Sequence, residues 1–290
     1  MNLKMSSSTA LLPKDRKKDD HPIFLRVCHS PWLSINQKSL VFFRSLVAIY
    51  LFVSFLAILH FELEVLNERW EIIYNFSNIV YGLQTLYAII TATWTFMHLY
   101  YPHHDNNSTW CERFLSPPRS NCNTKNKYFF SVFYYLIVTF PHIVTLIYWA
   151  ILVPKCKTEL SGETGEVILG NWWFCKYYIA AKYGINSFIA LFELFYLSSI
   201  KRPEAFHHVT ALGGLLLAYV GWAAFGHYHT EKYSYYFLDH EQIGWNYYWS
   251  CVAGFVVLGE LFFIFIYALT GIRDKSAKDI EHGRKVEKKR

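Results

Sequence analysis

Residues 39–59 read SLVFFRSLVAIYLFVSFLAIL, an apolar run in which Arg44 is the only charged residue. About 20 apolar residues in a helix cross the ~30 Å hydrocarbon core of a bilayer, and a helix satisfies its own backbone hydrogen bonds there. This run therefore predicts a membrane-spanning helix, and it decides the fold class of the chain.

Five further runs of the same kind follow along the chain. The predicted spans cover roughly residues 39–59, 72–97, 128–153, 177–197, 206–226 and 248–271. The 290 residues are 53% hydrophobic and 17% charged, whereas an average soluble domain has about 25% charged residues. We expect an all-α polytopic bundle of about six transmembrane helices over residues 39–272, flanked by basic tails at 1–38 and 273–290.

The positions of lysine and arginine predict the orientation of these spans. Of these residues, 21 lie in the two tails and in the second and fourth connections, and five lie in the other connections. Cytosolic loops hold the excess of positive charge, so both termini are expected in the cytosol. We expect the protein in the membrane of the endoplasmic reticulum or the Golgi, with membrane lipids as partners and protein partners left open.

The net charge of +6 does not indicate nucleic-acid binding, because the basic residues sit at the ends and in short loops rather than along one face. No cofactor and no metal site is expected. Cys111 and Cys122 share a cytosolic loop, but they lack the Cys-x-x-Cys or paired-histidine pattern of zinc sites.

The third connection is predicted to be lumenal, and it contains Cys156 and Cys175. These cysteines either form a disulfide or remain two free thiols. The acceptor patterns at Asn106 and Asn107 fall in a predicted cytosolic loop, so we expect them to carry no glycan.

Polar residues inside the predicted spans mark the candidate site, because an ionisable side chain there costs roughly 2.5–3.5 kcal/mol and needs a partner. Lys182, Asn186 and Glu193 are spaced to share one face of a helix, which forms either a structural strut or the wall of a polar cavity. Arg44 is expected to snorkel to the cytosolic interface. Candidate partners on other spans are Ser77, Gln84, His142 and Glu260, with His227 near the end of the fifth span.

Several motifs, taken in order, resemble the androgen-induced protein family, which includes the androgen-dependent TFPI-regulating proteins and the rolling-stone proteins. The resemblance covers roughly residues 72–272. The motifs are Phe76-Ser77-Asn78-Ile79 through Gln84, Tyr183-Gly184-Ile185-Asn186-Ser187 with Glu193, Tyr235-Tyr236-Phe237-Leu238-Asp239, and Leu258-Gly259-Glu260.

The resemblance implies a six-helix membrane protein, and some animal members hydrolyse fatty acid esters of hydroxy fatty acids with a threonine nucleophile and a histidine. Ser77 falls at the threonine position and keeps the hydroxyl group. Asn186 falls at the catalytic histidine position, and Tyr183 falls at the position of an earlier histidine. Because asparagine cannot accept the proton of serine, a hydrolase would need another base.

Three functions are consistent with the sequence. The first is a protein of uncharacterised role that binds a lipid or partner in a polar cavity lined by Gln84, Tyr183, Glu193 and Glu260. The second is a lipid carboxylic-ester hydrolase in which Ser77 attacks, Asn186 stabilises the oxyanion, and His142, His227 or Lys182 is the base. The third is a pathway for a small molecule or ion, lined by Lys182, Glu193 and Glu260.

Overall fold

The computed structural model describes residues 23–32, 34–101, 115–118, 123–155, 158 and 172–287, and every regular element in these ranges is helical. The all-α prediction is therefore confirmed. The helices are α1 (Ile23–Val27), α2 (Gln37–Glu64), α3 (Phe76–Tyr100), α4 (Thr124–Leu146), α5 (Trp172–Ala180), α6 (Asn186–Phe192), α7 (Ala205–Thr230), α8 (His240–Ile243) and α9 (Trp245–Glu287).

Shorter turns connect or extend these helices. A π-helical turn, Ile147–Leu152, continues α4, and two others, Ala181–Ile185 and Glu193–Leu197, flank α6. Residues 172–197 thus form one continuous helical segment, called here the π-interrupted segment. Two 3₁₀ turns, Trp70–Ile73 and Tyr236–Leu238, precede α3 and α8.

Four helices of the described residues are long and apolar enough to cross a membrane. They are α2, the helical stretch Thr124–Leu152, α7 and the part of α9 from Trp245 to Ile280. These helices fit an integral membrane protein. The predicted spans 72–97 and 177–197 fall on α3 and on the π-interrupted segment. The first carries many buried polar residues and the second is broken into short helices, so six spans remain a prediction.

Large apolar side chains cover much of the outer surface of the bundle, and several charged side chains are buried within it. Phe42 on α2 is 63% exposed and Leu261 on α9 is 58% exposed, whereas Glu62 and Lys182 are completely buried. A protein in water shows the reverse distribution. This inversion is typical of a chain surrounded by lipid, whose few ionisable groups face the bundle interior.

Close packing of the helices positions the interior residues. The pair α2 and α3 lie side by side, α4 packs against α3, α6 and α9, and α9 packs against α7. Gly226 on α7 lies so near Tyr74 that a Cβ atom there would be 2.5 Å from the tyrosine ring. The hydroxyl of Tyr219 and the indole of Trp222 donate to the carbonyls of Tyr74 and Ile73.

Several sequence predictions fall on residues outside the described ranges and stay predictions. They concern Asn106, Asn107, Cys111, Cys122, most of the N-terminal tail and the last residues of the chain. Cys156 also lies outside these ranges, but Cys175 is a buried free thiol. Whether Cys156 and Cys175 pair stays a prediction with both alternatives open.

Candidate functional site

The lysine of the predicted polar stripe is bound by a carboxylate that the sequence did not indicate. The Lys182 Nζ atom lies 2.6 Å from Glu62 Oε1, and both side chains are fully buried. The hydroxyl of Tyr178 lies 2.7 Å from each of these atoms. Asn78 Nδ2 donates to the other oxygen of Glu62 at 2.6 Å. The carboxylate is thus surrounded by donors from α3 and the π-interrupted segment.

Glu62 was missed because the predicted first span ended at residue 59, whereas α2 continues to Glu64. A lysine inside a membrane bundle pairs with an opposite charge or with backbone carbonyls, and Glu62 lies one turn beyond the apolar run. A predicted helix that continues one turn past the apolar run includes Glu62 as a candidate partner of Lys182.

The glutamate of the stripe forms a second buried ion pair. Arg44 Nη2 lies 3.0 Å from Glu193 Oε1, and the Tyr87 hydroxyl donates to the same oxygen at 2.8 Å. Arg44 also donates to the carbonyls of Val27 and Leu197 at 2.7 and 2.9 Å. The prediction that Arg44 snorkels is wrong. Only 2% of its surface is exposed, because its counter-charge and two carbonyl acceptors lie inside the bundle.

The two pairs join α2 to the π-interrupted segment at opposite ends. Arg44 is near the start of α2 and Glu62 near its end, whereas Lys182 precedes Glu193 in the segment. The pairing requires the two elements to run antiparallel. Charges that neutralise each other in this way act as structural struts, which was one of the two alternatives for the polar stripe.

Ser77 is engaged at the start of α3. The Oδ1 atom of Asn75 caps the helix by accepting from the Ser77 backbone N–H at 3.1 Å, and it also accepts from the Ser77 hydroxyl at 2.7 Å. The hydroxyl of Tyr235 approaches the same oxygen at 3.4 Å. An amide oxygen does not accept a proton at neutral pH, so this contact orients the serine without activating it.

The remaining residues of the fourth predicted span lie against α3 and α4. Gln84 Nε2 donates to the backbone carbonyl of Asn186 at 2.9 Å, and Asn186 Oδ1 accepts from the Ser187 backbone N–H at 2.7 Å. The Tyr183 ring stacks on Tyr148 with centroids 3.8 Å apart. The contact between Gln84 and Asn186 therefore brings polar groups of the second and fourth predicted spans together, as a common polar interior requires.

The candidate bases and Glu260 lie in other surroundings. The His142 ring faces Phe262 with centroids 5.9 Å apart, and His227 stacks on Tyr233 at 4.1 Å. Among the described residues, the Ser77 hydroxyl bonds to Asn75 and to neither histidine. A carboxylate oxygen of Glu260 lies against Gly213 on α7, 3.3 Å from where a Cβ would be. Within the described ranges, the structure thus brings together neither a Ser–His pair nor a single charged cavity.

A cavity of about 660 Å³ lies elsewhere, between the end of α4, the turn before α8, and α9. We call it the apolar pocket. Among the described residues of its wall none is charged, and burial raises the pKa of Tyr236 above its ordinary value, so this hydroxyl stays neutral. The other lining residues are Leu146, Ile147, Ile151, Phe237, Ile243, Tyr247, Cys251, Gly254, Phe255 and Leu258.

This pocket has the size and the apolar lining of small-molecule sites, which measure about 300–1,000 Å³. The residues of its wall do not stand out in the sequence, because they come from three separate segments and look like ordinary core residues. Tyr236 and Phe237 stand out only as part of the motif Tyr235-Tyr236-Phe237-Leu238-Asp239.

Compared with known proteins, the chain matches no family model, no curated protein and no solved structure. The resemblance to the androgen-induced family therefore stays a prediction.

Proposed function

We propose that this chain is a six-span membrane protein that binds the hydrocarbon tail of a lipid in the apolar pocket and catalyses no reaction on it. The observation that carries the proposal is the pocket itself, which is of ligand size and is lined, in the part of the chain that the structure describes, by uncharged residues. An uncharged apolar wall suits a hydrocarbon tail and offers no partner to an ion.

The position of the pocket along α9 supports a lipid tail as its occupant. The pocket extends from Tyr247 to Leu258, a helical rise of about 16 Å, and half of the hydrocarbon core is about 15 Å thick. Tyr247 is highly exposed, and Trp245 and Trp249 are exposed beside it, as aromatic residues at a membrane interface are. The pocket therefore spans about the depth of one leaflet.

The remaining two spans of the proposal are α3 and the π-interrupted segment. Their polar side chains face protein partners, as in the Lys182–Glu62 and Gln84–Asn186 contacts, so they need not meet lipid. The distribution of lysine and arginine supports cytosolic termini. Residence in the endoplasmic reticulum or Golgi and membership of the androgen-induced family belong to the same proposal.

The charged residues of the bundle support a binding role over a pathway or a hydrolase. Lys182 and Glu193 are each bound by an opposite charge, whereas a pathway needs lining charges that remain accessible. Ser77 donates to Asn75, whereas an ester hydrolase needs a base at that hydroxyl. The hydrolase is the alternative that the family resemblance implies. It predicts labelling of Ser77 by a fluorophosphonate probe, and labelling that Ser77→Ala abolishes would establish it in place of the proposal.

The binding test is photocrosslinking of the membrane-embedded protein with a fatty acid that carries a photoactivatable group in its chain. Gly254 lines the pocket, and a Cβ there meets nothing within 4 Å. The backbone therefore accepts a side chain at this position, and the ring of the Gly254→Phe variant should occupy the pocket. We expect the variant to lose most of the crosslinking, and the crosslinked peptides of the wild type to come from the pocket residues.

The matched control is Gly221→Phe on α7, where a Cβ also meets nothing within 4 Å. Gly221 is exposed and lies outside the pocket, so this variant should crosslink like the wild type. Equal crosslinking of all three proteins would contradict lipid binding in this pocket.

A further inference from the structure

A second cavity, of about 380 Å³, lies where the loop between residues 198 and 204 meets α9. We call it the basic pocket. Lys201 and Arg202 line it from the loop, and Lys275 and Lys278 line it from α9, with Gly271 and Asp274 between them. Among the described residues of this wall, the one carboxylate is that of Asp274, which is bound to Arg273 Nη2 at 2.7 Å. Four of the described residues in the wall are cationic.

The loop is fixed to α9 by a buried arginine. Arg273 Nη1 donates to the carbonyls of Leu194 and Ser198 at 2.8 and 2.9 Å, and its Nη2 atom donates to Ile200. These bonds hold the loop immediately before Lys201. The basic side chains of the loop and of the helix are thus kept on the same side of α9, although they are about 70 residues apart.

Arg202 lies across α9 in a defined position. Its guanidinium stands over the Tyr267 ring, 4.9 Å from the centroid, and a cation over an aromatic face is attracted to it. A Cβ at residue 271 would lie 1.2 Å from Arg202 Nη2. Glycine at this position therefore leaves the space that the guanidinium occupies.

From this arrangement we infer that the basic pocket binds the phosphorylated head group of an anionic lipid. A guanidinium fork matches phosphate oxygens in a bidentate geometry, and lysines add point charges around them. Ile272 is next to Gly271 and is 59% exposed, so the pocket borders the apolar surface of α9. A ligand with both a phosphate and a hydrocarbon chain contacts both surfaces, and basic pockets between membrane helices recognise such head groups.

The test is a binding titration of the purified full-length protein in a non-ionic detergent. The probes are dioctanoyl phosphatidylinositol 4-phosphate, dioctanoyl phosphatidylcholine as the neutral lipid, and inositol phosphate as the free anion. We expect the phosphoinositide to bind at least about tenfold more tightly than either other probe, since its additional phosphomonoester offers more charged acceptors than the zwitterionic head group of phosphatidylcholine, and inositol phosphate lacks the hydrocarbon chains.

Two variants locate the binding at the basic pocket. Arg202→Gln removes the guanidinium, and Gly271→Ala displaces it while keeping every charge of the protein. Each should weaken phosphoinositide binding about tenfold. Lys232→Gln is the matched control, because it removes one positive charge from an exposed side chain outside this pocket, and it should bind like the wild type.

The outcomes separate the sources of the ligand. If inositol phosphate binds as tightly as the lipid and is equally sensitive to both variants, the pocket takes a free anion and the lipid assignment is overturned. If phosphatidylcholine binds equally well, or if Arg202→Gln binds like the wild type, the inference is overturned entirely. Melting curves like that of the wild type show that the variants are folded. If Gly271→Ala does not fold, the binding measured for Arg202→Gln alone tests the inference. Gly254→Phe should not affect this binding.

Discussion

At the scale of single residues, the two buried ion pairs dominate the interior. Lys182 and Glu62 are both fully buried, and three donors surround the carboxylate. A buried pair contributes little net stability compared with an apolar pair, but removal of one partner leaves a charge that nothing compensates. The stability of the bundle should therefore depend strongly on either member alone.

We predict that Glu62→Gln lowers the free energy of unfolding by about 3–5 kcal/mol, because Lys182 is then buried without a counter-charge. Denaturant unfolding in detergent micelles measures the change. The matched control is Glu71→Gln, which breaks the pair between Glu71 and Lys232, where the lysine side chain is 73% exposed. That substitution should cost about 0–1 kcal/mol. Similar losses in both variants would contradict a buried pair at Glu62.

The sequence identified one member of each pair but not the partners. Lys182 and Glu193 stand out because ionisable residues are rare in apolar spans. Their partners depend on which helix lies next to the segment, and periodicity within one helix contains no information about its neighbour. The position of Arg44 near a predicted helix end favours the interface. Its depth in the membrane does not show whether the side chain faces the bundle interior or the lipid.

At the scale of elements, hydropathy locates the helical regions but not their internal geometry. The predicted span 39–59 lies within α2, which is longer at both ends. In the π-interrupted segment, two π turns alter the α-helical spacing that the prediction assumed. Each π turn rotates the side chains that follow it. Lys182 binds Glu62 and Glu193 binds Arg44, both on α2, whereas Asn186 contacts Gln84 on α3 through its backbone carbonyl.

The contact between α7 and the turn before α3 depends on a glycine. We predict that Gly226→Ala destabilises the protein by about 1–3 kcal/mol. The alanine Cβ would overlap both the ring and the Cβ atom of Tyr74. Gly221→Ala on the same helix meets no atom within 4 Å, and alanine is a better helix former by about 1 kcal/mol. Thermal unfolding should shift in opposite directions, and a stabilised Gly226→Ala variant would contradict the close approach.

At the scale of the whole molecule, the apolar exterior and the paired charges within it are consistent features of a membrane bundle. The six-span proposal adds a testable orientation. It places Lys232, between α7 and α8, on the lumenal side, and Lys278, near the end of the chain, on the cytosolic side. Both side chains are exposed, so each can carry a reporter without disturbing the interior.

We predict that Lys232→Cys and Lys278→Cys react with a membrane-impermeant maleimide from opposite sides of sealed microsomes. The cytosolic Lys278→Cys should react at once and Lys232→Cys only after permeabilisation. Each variant is made in a chain whose six native cysteines are replaced by serine, so that the introduced thiol is the one that reacts. Reaction of both variants in sealed vesicles would contradict the proposed number of crossings.

The pairing of Arg44 with Glu193 and of Glu62 with Lys182 also has a consequence for biosynthesis. The partners are 149 and 120 residues apart, and ribosomes add about 5–20 residues per second. The first helix therefore leaves the ribosome on the order of ten seconds before its counter-charges are made. During that interval the insertion machinery must shelter two unmatched charges, and a nascent chain that stops before residue 182 should be retained and degraded.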